Sequence, residues 1–174
     1  MSTLNVLAEA MSYPFPGHLQ KLQAGLFLLP EGATKTAFAK FVDKVSELPL
    51  AEWEEIHTYT LDLSPQVAPY VGFLTWGESY QRGTFMAQLN DVYEREEIST
   101  EGELPDHLIP ILHYLEVAST PLPELIEVLE PAIERMIGVL SDGNKKNPYT
   151  HLFNAILHAV RLQVKELAVV GGER

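Results

Sequence analysis

Residues 103 to 107 read Glu-Leu-Pro-Asp-His, and an acid beside an imidazole serves general acid–base chemistry, metal ligation and helix capping alike. The apolar run 108–115 follows, so Asp106 is placed to cap a helix, its carboxylate accepting from a free first-turn amide at the positive end of the helix dipole. His107 is then the first helical residue, and Pro110 falls in or just beyond the first turn, where its missing N–H costs least. Catalysis needs further partners. Glu54 and His57 have the carboxylate–histidine spacing of a di-iron bundle, but no other histidine has a glutamate three residues before it. His113 with Glu116, and His151 with His158, share helix faces without forming an HExxH motif. Glycine-rich phosphate loops and the GxSxG elbow are absent. These residues predict no catalytic centre, no metal and no cofactor, and they turn attention to binding.

Composition narrows the binding classes. At 174 residues and 46% hydrophobic, the chain can bury a core without disulfides or metals, and one domain spanning 1–174 is expected. Against 24 Asp and Glu stand 12 Lys and Arg, a formal charge of -12 that repels nucleic acid and attracts a basic peptide or protein surface. The lack of cysteine excludes disulfides, thiolate-held zinc and cysteine-held iron–sulfur clusters. The first residues lack the basic start and apolar core of a secretory signal, and no run approaches the ~20 apolar residues that cross a bilayer. A soluble, cytoplasmic protein without stable membrane insertion is expected.

Helical spacing recurs along the chain and sustained alternation is missing, which predicts an all-α fold, a compact single-domain helical bundle. Leu4, Leu7, Ala8 and Met11 mark a first helix ended by Pro14, and Pro16 begins a second through Leu19, Leu22 and Leu26. A third carries Ala37, Phe38, Phe41, Val42, Val45 and Leu48; a fourth spans about 50–61 with Trp53, Ile56 and Thr60 on one side. Residues 62–79 read as a turn-rich connection with exposed aromatics. Another helix is predicted from about Ser79 to Glu96, and 96–107 as a surface loop. From Leu125 to Leu140 one apolar face stays in phase across Pro131, predicting a kink, and after the loop 141–148 Asn147 caps a last helix that Pro148 begins.

Three stretches then stand out in order: YTLDLSP from Tyr59, GESYQRGTFMAQL from Gly77 and ELPDHL from Glu103. Within them Glu78, Arg82, Gly83, Met86 and Leu89 fit a GESxxRGxxMxxL pattern, and 103–107 an E-x-P-D-H signature followed by an apolar helix. The segment 59–116 thereby resembles the NarJ/TorD-type chaperones that assist assembly of molybdenum-cofactor oxidoreductases, in the nitrate reductase delta subunit-like branch. It departs from that branch at Leu61, where phenylalanine is common. The resemblance implies an all-helical cytoplasmic protein without catalytic turnover. Such a protein binds the immature, apo catalytic subunit of a molybdoenzyme, through its amino-terminal segment or another part, and assists cofactor insertion before membrane attachment or export.

Together the two readings predict a groove edged by Asp106 and His107 whose apolar floor receives a client peptide, with Glu78 and Arg82 on a neighbouring helix. The expected partner-binding residues are Tyr59, Asp62, Tyr70, Trp76, Glu78, Arg82, Met86, Glu103, Pro105, Asp106 and His107. Plainer roles stand beside these. Tyr59 and Met86 suit core positions, Asp62 a turn cap, and Arg82 an ion pair with Asp106 or Glu78; Tyr70 and Trp76 are the better candidates for exposed contact. A generic helical peptide-binding adaptor and a metal-binding helical-bundle enzyme are the alternative classes.

Overall fold

A computed structural model of the chain describes residues 1–143 and 146–172. Its elements are α1 (Thr3–Ala10), α2 (His18–Leu28), α3 (Ala33–Ser46), α4 (Leu50–His57), a π-helical turn (Thr58–Leu63), α5 (Val71–Trp76), α6 (Tyr80–Arg95), α7 (Leu108–Val117), α8 (Pro123–Gly143) and α9 (Tyr149–Gly171). The all-α expectation holds: among the described residues the only sheet-like pairing is an isolated bridge between Tyr70 and His107.

The core follows from the apolar stripes. Phe38, Phe41, Val42 and Val45 of α3 meet α9, whose Leu152, Phe153, Ile156 and Val160 share one buried side. α8 lies along α9 as well, and α1 packs on α7 and α9. α7 buries Leu108 through Leu112 together with Tyr114 and Leu115, and leaves the polar His113 and Glu116 of its second half partly exposed. Its interior position fixes the level of the Pro-Asp-His stretch that leads into it.

Two buried histidines finish α1. His18 Nε2–H donates to the Glu9 carbonyl at 3.1 Å, which also accepts the Ser12 amide at 3.0 Å, and His57 Nε2–H donates to the Met11 carbonyl at 3.0 Å, an acceptor just past the helix end. His18 is sandwiched between Phe15 and Trp53, at centroid distances of 4.5 and 5.1 Å. Burial holds its pKa below the ordinary histidine value, against the opposing pull of the Glu9 carbonyl and carboxylate.

Several boundaries differ from expectation. The connection 62–79 contains α5, which is too short for apolar periodicity to register. α8 runs across Pro131 without a break, as its in-phase apolar face predicts, with the proline on its exposed side. α9 begins at Tyr149, one residue later than expected, while Asn147 Oδ1 still accepts from the Tyr149 amide at 3.0 Å. The expected loop 141–148 is shortened because α8 extends to Gly143, and 144–145 lie outside the described residues.

Candidate partner-binding site

The GES stretch is a helix-to-helix corner. Gly77 ends α5 at φ +64, a left-handed conformation that favours glycine, and its N–H donates to the Phe73 carbonyl at 2.8 Å. Ser79 then opens α6 by accepting the Arg82 amide at 3.3 Å. This corner aims the Arg82 side chain inward while Glu78 stays exposed. Arg82 Nε meets Asp106 Oδ2 at 2.8 Å and Nη2 meets Oδ1 at 3.2 Å, a bidentate pair joining the two signature stretches.

Asp106 is 0% exposed. Besides Arg82, its Oδ2 accepts the Phe73 amide at 3.2 Å, so it caps α5 and not α7. The cap of α7 is His107, whose Nδ1 accepts the Ile109 amide at 3.1 Å. The expected assignment is thus displaced by one residue: the carboxylate turns back to α5, where Arg82 neutralises it, and the imidazole takes its place. Backbone bonds lock the arrangement, with the Val71 N–H donating to the Asp106 carbonyl and the Leu108 N–H to the Pro69 carbonyl, both at 2.8 Å. Gly72 leaves the necessary room, since a Cβ there would stand 2.8 Å from Asp106 Oδ2.

Every other residue of the signature is also held. Glu103 accepts the Tyr70 hydroxyl at 2.9 Å, and the Pro105 carbonyl accepts the Tyr93 hydroxyl at 2.8 Å. Burial, reinforced by Glu103, pushes the Tyr70 phenol up to about 12, which keeps it a donor. The Arg82 guanidinium lies 5.3 Å from the Phe73 ring centroid and 5.9 Å from that of Tyr70. Asp106, Arg82, Tyr70 and Pro105 therefore form a structural strap between α5–α6 and α7. The expectation that Asp106 edges a groove is corrected, because a sealed carboxylate has no face to offer a partner. Trp76 is likewise half-buried, edge-on to Phe85 at 5.1 Å, and Tyr70 is tied to Glu103; neither is an exposed contact.

His107 differs. It is 7% exposed, and it lines a hollow of ≈ 230 Å³ together with Tyr13, His57, Asp62, Glu103 and Ile109. Because Nδ1 is an acceptor, Nε2 carries the ring proton. Burial lowers its pKa from the ordinary histidine value, opposed by Glu103 and Asp106, so the imidazole is neutral near neutral pH. Asp62 reaches within 4.0 Å of His57 Nδ1 and accepts no backbone hydrogen bond among the described residues, which corrects its reading as a turn cap. Among the described residues no group of three or more His, Asp or Glu is placed to hold a metal ion.

Beside this hollow the chain exposes Tyr59, one of the expected contact residues, whose plainer reading was a core position. Tyr59 is 72% and Leu63 69% exposed on the π-helical turn, while Thr60 and Leu61 point inward and Asn147 Nδ2 donates to Thr60 Oγ1 at 2.7 Å. Met86 is half-buried on α6. The sequence reading missed Tyr13 and Leu63 as surface residues, and Gly72, Phe73 and Tyr93 as parts of the strap. An irregular turn gives no periodic signal, and each strap contact joins positions distant in sequence. No protein-family model matches the chain, and no curated protein matches it in sequence.

Proposed function

We propose that this protein is a system-specific cytoplasmic chaperone that binds the immature catalytic subunit of a molybdenum-cofactor oxidoreductase, such as nitrate reductase, before cofactor insertion and membrane attachment or export. The observation that carries the reading is the Arg82–Asp106 pair. It joins the two stretches that resemble the NarJ/TorD-type pattern and gives their most distinctive polar residues one shared role, while a hollow opens beside the adjacent His107. Consistent with a protein that works before membrane attachment, no helix among the described residues is long and apolar enough to cross a membrane.

In this reading the client's amino-terminal segment meets the surface formed by His107, Glu103, Asp62, Tyr13 and Tyr59. Each client side chain buried there contributes ~1.5–3 kcal/mol before the entropy of ordering the peptide is subtracted, which sets a moderate, reversible affinity. Release is part of the task. Calorimetric titration with amino-terminal peptides of the molybdoenzyme catalytic subunits encoded in the same genome tests the reading. Saturable binding of one of them supports it; a folded protein that binds none contradicts it, and capture of an unrelated helical partner at the same surface favours a generic adaptor.

A further inference from the structure

Tyr59 and Leu63 stand exposed on the π-helical turn, beside hollows rimmed by acids. A hollow of ≈ 690 Å³ has Leu48, Ile56 and Pro148 among its walls, and a second of ≈ 380 Å³ lies against Tyr13, Ala51 and Leu63. Glu55 and Tyr59 belong to both, and Tyr13 continues from the second into the hollow beside His107. The three hollows thus share walls along α4 and the π-helical turn. Their rims carry Glu47, Glu52, Glu54, Glu55, Asp62 and Glu103 against Lys44 and Lys146. Among the described residues, Glu52, Glu54 and Glu55 make no ion pair with one another's neighbours or with any base.

We propose that this strip is a docking surface for a basic, amphipathic polypeptide segment whose apolar side covers Tyr59 and Leu63 and whose Lys and Arg side chains meet Glu52, Glu54 and Glu55. The inference rests on the client-binding reading and gives that client its chemistry. Tyr59 and Leu63 are left in water by the turn itself: it directs Thr60 and Leu61 into the core, and the Asn147 bond to Thr60 fixes that orientation. Exposed apolar side chains next to one another, rimmed by charge, are the usual mark of an interaction surface. Charge selects the occupant. A second copy of this chain would set the same carboxylates face to face at a formal charge of -12 per chain, whereas a basic segment neutralises them.

The test uses the full chain and a synthetic amphipathic helix with leucines on one side and lysines on the other, followed by fluorescence anisotropy. A peptide with every lysine replaced by glutamate serves as its counterpart. The lysine peptide is expected to bind and the glutamate peptide not to bind. Tyr59→Ala combined with Leu63→Ala is expected to weaken binding about tenfold or more with melting unchanged, as both side chains are exposed. Phe27→Ala, at an equally exposed position (84%) on α2 away from the strip, is expected to leave affinity at the wild-type level. Glu52→Gln, Glu54→Gln and Glu55→Gln together are expected to remove most of the salt dependence.

Equal losses in the Phe27 and Tyr59/Leu63 variants would overturn the proposal, as would no loss in the latter. Sedimentation showing a wild-type dimer that the Tyr59/Leu63 variant breaks would overturn it too, by assigning the strip to self-association. The two readings separate cleanly. Molybdoenzyme peptides that bind the Tyr59/Leu63 variant as well as wild type refute the strip, and with it the surface from His107 to Tyr59, but leave client binding at another surface of the chain standing; a lysine helix that binds the strip while every molybdoenzyme peptide fails refutes the client reading and leaves the strip.

Discussion

Arg82 grips Asp106 through both carboxylate oxygens, at 2.8 and 3.2 Å, and the acid is wholly enclosed while the guanidinium side chain is 12% exposed. The pair spans two helix corners: Ser79 sets the direction of Arg82, and the backbone bonds from Val71 and Leu108 set that of Asp106. A buried pair of this kind is weak as a net source of stability but expensive to break, because the surviving partner keeps its desolvated charge.

Arg82→Ala is therefore expected to destabilise the fold by about 3–5 kcal/mol in urea unfolding, since it leaves the Asp106 carboxylate buried without a counter-charge. Asp106→Ala is expected to fall in the same range and also removes the acceptor for the Phe73 amide. In a double-mutant cycle the two losses are expected to be strongly non-additive. Losses that simply add would show that the residues do not act as a pair.

Gly72→Ala forces a methyl group to within 2.8 Å of Asp106 Oδ2 and 3.2 Å of the Arg82 Cγ. A carboxylate held by three hydrogen bonds cannot swing away freely, so a loss of ~1–3 kcal/mol is expected, as for overpacking in a core. Gly83→Ala, at a position with no heavy atom near the added methyl and inside α6, is the comparison and is expected to stabilise slightly. Melting temperatures of the two variants check this directly.

His107→Ala removes the acceptor that caps α7 and is expected to cost ~0.5–2 kcal/mol, whereas His107→Asn keeps a cap acceptor and is expected to remain near wild-type stability. Both remove the Nε2–H from the hollow, so both are expected to weaken client binding. An asparagine variant with full stability and full affinity would confine His107 to capping.

Acid is expected to destabilise the fold through His18 and His107. Both pKa values are lowered in the folded state, chiefly by burial, so below the ordinary histidine value the unfolded chain binds more protons than the folded one. Their contribution is complete above about pH 6.5 and declines as the pH falls through that value towards the folded-state pKa. Around His18 the charged and titratable neighbours are Glu9, Lys21 and His57, and Glu9 partly opposes the loss. Urea midpoints measured at about pH 7.5 and about pH 5.5 should show the decline, and His18→Gln, which cannot ionise, should reduce it.

The helices were largely legible because apolar spacing is a local signal: most of the positions on α3, α8 and α9 that read as core stripes are buried, and Ala37, Ile126, Ile137, Val164 and Leu167 are half-buried. The candidate site was legible only in part. That Arg82 and Asp106 form a pair was one of the alternatives open in the sequence, yet the direction in which Asp106 caps was not, since Asp106 and His107 are both competent acceptors and tertiary contact decides between them. For Tyr59 the sequence left a contact role and a core position both open; the π-helical turn changes the residue count per turn and rotates the side chain into water. α5 escaped notice because six residues bearing Gly72, preceded by Pro65 and Pro69 and followed by Gly77, resemble a connection in composition.

The central claim is that the surface running from His107 to Tyr59 binds an amino-terminal segment of a molybdoenzyme catalytic subunit. Isothermal titration of the intact protein with such a peptide, alongside His107→Asn and Tyr59→Ala variants of unchanged melting temperature, tests it most directly. One-to-one binding of about micromolar strength to wild type, weakened about tenfold in each variant, is the predicted result. Wild type that is folded yet gives no heat with any such peptide, or variants that bind as tightly as wild type, would contradict it.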